Sequence, residues 1–232
     1  MNSPTSAREK IALVQGLTLF SDVPAAACAT IISAAYEKHM CRRQTIFSEG
    51  DPVQEVMMLL SGCVKITLLG VNGNQVIVRL SGTGELVGDF QPSPSKHFST
   101  AQTVQPSVAL VWQVASFETL LDRFPTFRLN TVWALEERLR EMEHRFREMS
   151  TENVGPRLSS ELIRLSTRLA CRVNGPKEVP LSRGELAQLT GTTLSTVSRF
   201  LCRWQRLGIV NLGRDVVQVC DLAALAQLTL SE

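Results

Sequence analysis

The stretch from Leu181 to Leu201 constrains this chain more than any other, because it contains two short helices joined by a tight turn. Ser182 and Glu185 have the S-x-x-E spacing of a capping box, which starts the first helix. Ala187 is small where two helices must cross closely. Gly191 stands where the chain must turn sharply, and glycine tolerates the dihedrals such a turn needs. Thr193 can cap the second helix. Val197 and Leu201, four apart, give that helix an apolar back. Ser195, Thr196, Ser198 and Arg199 are left for its outer faces. A helical pair of this kind presses its second helix into the major groove of DNA. The plain alternative is an ordinary surface hairpin, and the features downstream weigh against it.

Charge supports the first reading. The chain carries a net +2, unevenly placed. From Pro156 onward there are ten Lys/Arg against six Asp/Glu, and before it fourteen against sixteen. Between Arg183 and Arg214 stand five arginines and one acid. A basic segment centred on a candidate recognition helix is the electrostatic footprint of phosphate binding. The 44% hydrophobic and 20% charged content is that of a globular protein. The longest apolar runs fall far short of the ~20 residues of a membrane span. The polar start, Met1 to Lys10, lacks a signal-peptide core, so a cytoplasmic protein without membrane contact is expected. Six scattered cysteines without a C-x-x-C argue against a zinc ribbon or a redox dithiol.

Three regions separate by pattern: residues 1–115, 116–152 and 153–232. The first opens with helix (Ile11 to Phe20, then Ala25 to Tyr36). Short strands follow at Val56–Leu60, Val64–Leu69, Val76–Leu80 and Val104–Val114, with turns between. Strands of about five residues with turns every ten or so predict an antiparallel sandwich or roll that can enclose a ligand. The second region is one long helix, about Ser116 to Ser150, broken early at Pro125. Val132, Leu135, Leu139, Met142, Phe146 and Met149 repeat at spacings of 3 and 4 on a highly charged helix. A narrow apolar stripe of that kind is a coiled-coil seam and predicts a homodimer. The third region follows a hinge at Asn153-Val154-Gly155-Pro156. A helix from Arg157 to Cys171 and a loop at Asn174-Gly175-Pro176 lead into the helix-turn-helix. Gly208 stops the second helix. Ile209–Leu212 and Val216–Val219 flank Gly213-Arg214-Asp215, a hairpin with a turn glycine that forms the wing of a winged helix. The fold class is therefore α+β: an N-terminal antiparallel β-roll, a long dimerisation helix and a C-terminal winged helix-turn-helix.

That order of parts resembles the CRP/FNR transcription regulators of bacteria, over nearly the whole chain. Three patches carry the likeness: Phe47-Ser48-Glu49-Gly50-Asp51 running to Ser61-Gly62-Cys63-Val64-Lys65, then Gly84-Glu85-Leu86-Val87-Gly88-Asp89, then Leu181 to Arg199 with the wing. The resemblance implies a cyclic-nucleotide-binding-like roll and a homodimer on a two-fold operator of double-stranded DNA. It also implies contact with RNA polymerase and a small-molecule effector in the roll. Cyclic-nucleotide-binding members follow a Gly-Glu pair with Arg-Ser-Ala, the Arg holding the cyclic phosphate. Here Gly88-Asp89 is followed by Phe98-Ser99-Thr100-Ala101, and Ser99 stands where the Arg belongs. A buried phosphate without its guanidinium loses a charge-assisted contact, which argues against cyclic AMP. The candidate effector residues are Gly88, Asp89, His97, Ser99 and Thr100, with Lys96 a further source of charge.

An iron–sulfur cluster needs four thiolates together. The first cysteines, Cys28 and Cys41, are too far apart for the tight N-terminal cluster of the oxygen-sensing branch. Haem stays open, with His39, Met40, Cys41 and His97 as candidate axial ligands. So does a thiol switch at Cys28, Cys41 or Cys63, or an unknown small molecule.

The family pattern puts Leu194, Ser195 and Arg199 at base edges. Arg199 suits bidentate contact with guanine O6 and N7. Ser195 replaces the usual Glu, and Leu194 offers apolar contact, for instance to a thymine methyl. Arg183, Thr193, Ser198, Arg203 and the wing's Arg214 read as phosphate contacts that set register, with Thr196 beside them. No Ser/His/Asp set, phosphate loop or metal-ligand spacing points to an enzyme. Two alternatives remain: a sensor module that acts through protein contacts, and a haem-based gas-sensing version of the regulator.

Overall fold

A computed structural model describes residues 12–88, 95–168 and 177–229. By contacts the chain divides into two units, residues 1–66 with 81–141 and residues 67–80 with 142–232.

In the first unit, helical turns at 12–15 and Thr18–Phe20 precede α1 (Ala25–Ser33). Eight strands follow: β1 (Tyr36–Met40), β2 (Thr45–Phe47), β3 (Glu55–Ser61), β4 (Val64–Leu69), β5 (Gln75–Ser81), β6 (Leu86–Val87), β7 (Thr100–Thr103) and β8 (Ser107–Gln113), of which residues 67–80 of β4 and β5 are grouped with the second unit. They form two four-stranded sheets, in the orders β1-β8-β3-β6 and β2-β7-β4-β5. The antiparallel roll expected from the turn spacing is present. Its details differ from expectation: the helix expected from Ile11 to Phe20 is two short pieces, and β1, β2, β6 and β7 join the four strands that the spacing predicts.

The helix from Ala25 ends at Ser33, and Tyr36 opens a strand instead. β1 reads Tyr-Glu-Lys-His-Met, without an apolar face. It is an edge strand, and pairing with β8 from Tyr36↔Val111 to Met40↔Ser107 supplies the hydrogen bonds that its sequence does not advertise. The expected strand Val104–Val114 is shorter, because Pro106 cannot donate to a ladder. The interrupted backbone is picked up by Cys63, whose carbonyl accepts from Val104 N at 2.8 Å and whose N donates to Ser107 Oγ at 3.2 Å. This close approach requires Gly62. It has φ +99°, and a Cβ there would lie 2.6 Å from Ser107 Cα.

The core of the roll is aromatic. Phe117 stands 5.7 Å from both Trp112 and Phe127, and Phe127 stands 5.3 Å from Phe20, between ring centroids. Trp112 is fully buried and its indole donates to Ile31 O at 2.8 Å. That bond satisfies the one polar atom such a ring carries inside. Two helices leave the roll, α2 (Val114–Arg123) and α3 (Pro125–Thr151). The break falls at Pro125, which opens α3 where a missing N–H costs nothing. Asn130 on α3 donates to Leu19 O and Ser21 O at 3.0 and 2.8 Å, tying its first turns to the roll.

In the second unit, α4 (Val154–Arg168) starts at Val154, before the expected Arg157. Gly155 and Pro156 are buried within its first turn rather than forming a hinge. First-turn amides have no partner inside a helix, so proline fits there. The expected helix end at Cys171 and the loop Asn174-Gly175-Pro176 lie outside the described residues. Next come β9 (Lys177–Val179), α5 (Arg183–Thr190), α6 (Leu194–Arg206), β10 (Val210–Gly213), β11 (Val216–Val219) and α7 (Leu222–Gln227). The wing is a three-stranded sheet, β10-β11-β9. Its turn differs from expectation: Gly213 pairs with Val216 inside the ladder, and Asp215, at φ 58°, takes the left-handed position. Asp tolerates that region better than most residues with a side chain. The unit closes around Leu158, Leu162, Leu181, Leu186, Val197 and Leu201, each fully buried.

Candidate nucleic-acid interface and sensor cleft

The helix pair is built by its caps. Ser182 Oγ accepts from Glu185 N at 3.2 Å, and Glu185 Oε2 accepts from Ser182 N at 3.0 Å, a complete capping box. α5 ends on Gly191 at φ 61°, ψ 42°, and Thr192 N donates back to Ala187 O at 3.0 Å. Thr193 then caps α6 by accepting from Thr196 N at 3.2 Å. These local signals aim α6.

Val197, Leu201 and Trp204 are buried on the inner side of α6. Leu194, Ser195, Arg199 and Arg203 are exposed, while Thr196 and Ser198 are half-buried. Ser195 Oγ lies 2.9 Å from Thr193 Oγ1, and Thr196 Oγ1 stands at the same distance from it. Three hydroxyls thus cluster at the positive end of the α6 dipole, where anions are favoured. The Arg199 guanidinium lies 5.8 Å from the Phe200 ring centroid, and Phe200 in turn stands 5.8 Å from Trp204. Phe200 is a residue that reading by spacing missed. Its signal is present in the sequence as an aromatic pair four apart, the first of the two next to Arg199. Arg183 is exposed in the first turn of α5, Thr193 at the α6 cap, and Arg214 at the wing turn.

On α3 the six stripe residues Val132, Leu135, Leu139, Met142, Phe146 and Met149 are all exposed, between 40% and 75%. Six large apolar side chains on one exposed stripe of a charged helix are unusual on a monomer surface.

In the roll, Gly88 has φ +100°, and a Cβ there would meet Phe47 Cε1 at 3.3 Å and His97 Cε1 at 3.5 Å. The His97 and Phe47 rings stack at 3.6 Å, 8° from parallel, and His97 is buried. Gly88 and His97 therefore meet. Asp89 lies outside the described residues. Ser99 is buried, and Thr100 Oγ1 accepts from Glu49 N at 3.0 Å, which gives Thr100 a structural partner. The groups nearest Gly88 are aromatic rings rather than a guanidinium. An open cleft of about 310 Å³ lies beside this stack, lined by Phe47, Asp51, Gln54, Glu55, Met57 and His97 among others. Asp51 Oδ2 accepts from Ser48 N at 2.7 Å.

The haem candidates separate. Met40 is buried on β1 and Cys41 is exposed, while the exposed His39 lies 2.8 Å from Glu37. Cys28 is buried with its thiol pushed above the ordinary value, chiefly by desolvation, and Cys63 is buried too. A raised thiol is a poor thiolate and a poor redox switch. Among the described residues no group of three or more His, Cys, Asp or Glu is placed to hold a metal ion, and no helix is long and apolar enough to cross a membrane.

Tyr36, the one tyrosine of the chain, donates to Glu55 Oε1 at 2.5 Å, and Lys38 pairs with Oε2 at 3.2 Å. Partial burial, then the hydrogen bond and the charge of Glu55, push the phenol up to about 12 from 10.0. The folded state thus holds this proton more tightly than the unfolded chain. The linked stability is complete below pH 10.0 and is lost as pH climbs through about 12. An absorbance titration of the native protein should show the phenolate appearing near pH 12, and Glu55→Gln should lower that midpoint. A native midpoint at the free-tyrosine value would refute the pairing.

An antiparallel β-roll and a capped, basic winged helix-turn-helix are the parts of a DNA-binding regulator. Residues 37–124 match the cyclic nucleotide-binding domain, and residues 156–228 match the Crp-like helix-turn-helix domain. The chain belongs to the CRP/FNR family of transcription regulators. It is 26% identical over 194 residues to the fumarate and nitrate reduction regulatory protein of Escherichia coli K12, covering 83% of this chain and 78% of that one. It is 25% identical over 195 residues to the anaerobic regulatory protein of Pasteurella multocida, covering 83% and 71%. In fold it is similar to FixK2 of Bradyrhizobium japonicum, with a TM-score of 0.72 at 22% identity over 84% of this chain and 96% of that one.

Proposed function

We propose that this regulator works as a cytoplasmic homodimer, joined along the α3 stripe, that reads a palindromic operator with α6 of each protomer. Residues 1–115 form the sensor domain, 116–152 the dimerisation helix and 153–232 the DNA-binding domain. The observation that carries the reading is the outer face of α6. Leu194, Ser195 and Arg199 are exposed on a helix whose opposite side is buried and whose start is capped by Thr193. Such a helix is rigid and its polar face is free to meet base edges. Arg199 takes a guanine, Ser195 and Leu194 set the neighbouring preference, and Arg183, Thr193, Ser198, Arg203 and Arg214 hold phosphates. The absence of an arginine at Ser99 supports an effector other than cyclic AMP. RNA polymerase is the expected protein partner, and no catalytic role is assigned.

Selection of bound sequences from a random DNA pool tests this. An enriched palindrome with one invariant G·C pair per half-site is expected. A motif without dyad symmetry overturns the reading, and no enrichment from a folded dimer shows the recognition helices held in an arrangement that needs the effector.

A further inference from the structure

At the junction of α3 and α4, four charged side chains are drawn into the second unit in a reciprocal pattern. The last turns of α3 supply Arg145 and Glu148, and α4 supplies Glu161 and Arg164. Each helix thus gives one Arg and one Glu, three residues apart. Arg164 grips Glu148 with both nitrogens, Nη2–Oε2 at 2.6 Å and Nη1–Oε1 at 3.2 Å. Its Nη2 also lies 2.9 Å from Glu161 Oε2. Arg145 Nη2 lies 3.3 Å from Glu161 Oε1, and its Nη1 donates to Val78 O at 2.8 Å. Glu148 and Glu161 are 3% and 5% exposed. Burial alone would weaken the hold of Arg164 on its proton. Glu148 and Glu161 reverse that, so it sits above the ordinary arginine value. Around the four stand His144, whose Nδ1 is 3.0 Å from Glu148 Oε1, and Arg157, which donates to Met149 O and Glu152 O at 3.3 and 3.1 Å. Met149 reaches the turn of the helix pair: a Cβ on Gly191 would lie 2.7 Å from its Cε.

Apolar packing between two helices tolerates sliding, because one leucine contact resembles the next. A buried, reciprocal pair of ion pairs does not. A shift of α4 along α3 by one turn, about 5.4 Å, would break both bridges between the helices, Arg164–Glu148 and Arg145–Glu161, and leave the buried Glu148 carboxylate without its guanidinium. Buried charge of this kind adds little net stability but can specify register.

We propose that the Arg145–Glu161–Arg164–Glu148 clamp sets the register of the DNA-binding domain on the long helix and so fixes the half-site spacing that the dimer accepts. The proposal rests on the homodimer reading above. These four are positioning residues that do not touch DNA. With the clamp intact, each recognition helix is held at one distance from the seam. One base pair inserted between half-sites moves them apart by about 3.4 Å and turns one by roughly 35°. A rigid dimer cannot follow.

The test compares the selected operator, the same operator with one base pair inserted, and DNA with a single half-site. The full-length wild type and Glu148→Gln are measured in parallel, with dimer mass from light scattering. Wild type should prefer the native spacing by about 100-fold, since only that spacing lets both heads bind together. Glu148→Gln should remain dimeric, bind the single half-site within about threefold of wild type, and keep less than about tenfold preference for spacing. If circular dichroism shows Glu148→Gln unfolded, Arg145→Gln takes its place, because it removes only the outer arm. An unchanged spacing ratio in the folded variant overturns the clamp. A wild-type dimer with no spacing preference also overturns the clamp, whereas a wild type that is monomeric by light scattering overturns the homodimer reading instead, so the two failures are distinguishable.

Discussion

Leu139→Asp combined with Met142→Asp is expected to give monomers that hold operator DNA about 10²–10⁴-fold more weakly than wild type. Both side chains are more than half exposed on α3, at 57% and 54%, so neither supports the fold of its own chain. In a two-stranded seam they face their counterparts across the dyad, and the double change would bring four carboxylates together in a desolvated strip. The dimer then dissociates and each head binds alone. The loss is that of the effective concentration which linkage supplies, not of any contact to DNA. Light scattering gives the mass, and circular dichroism gives the helix content, which should be unchanged. A dimer that survives both charges would refute the seam. Binding that survives in a proven monomer would refute the need for two heads.

Arg199→Ala is expected to cost about 1–3 kcal/mol per half-site and to relax preference at one base pair in each. A symmetric dimer carries the change twice, so the operator loses about twice that amount if the half-sites are independent. Arg199 is exposed, and its guanidinium lies by the Phe200 ring. Its removal should therefore leave stability within about 0.5 kcal/mol. Competition between the selected operator and one with the guanine replaced reads the specificity directly. Equal loss on every sequence, with a smaller salt slope, would assign Arg199 to phosphate instead.

The parts that were legible in the sequence are those built from neighbours along the chain. The capping box of Ser182 and Glu185, the turn at Gly191, the cap at Thr193 and the apolar side of Val197 and Leu201 each involve residues within four or five positions. The structure contains all of them. The stripe from Val132 to Met149 is also a local periodicity, and its exposure follows from the charges around it. The departures have local causes too, but ones that compete with the pattern. Glycine's preference for turns places Gly213 in the turn Gly213-Arg214-Asp215, yet Asp215 holds the left-handed position and Gly213 pairs in the ladder. The Gly-Pro pair makes Asn153-Val154-Gly155-Pro156 look like a hinge, yet the helix starts at Val154, where proline in the first turn is at no disadvantage.

The amino-acid sequence by itself determined the helix-turn-helix, its basic surroundings, the apolar stripe of α3 and the order of roll, helix and wing, because hydrogen bonds and periodicities within a few residues encode them. Only the tertiary structure decided the edge strands β1 and β9, the Phe47–His97 stack and the reciprocal clamp of α3 with α4. Tyr36 finds Val111, Trp112 finds Ile31 and Glu148 finds Arg164 across 75, 81 and 16 residues. A polar edge strand or a buried carboxylate shows its reason only when the distant partner that satisfies it is in place.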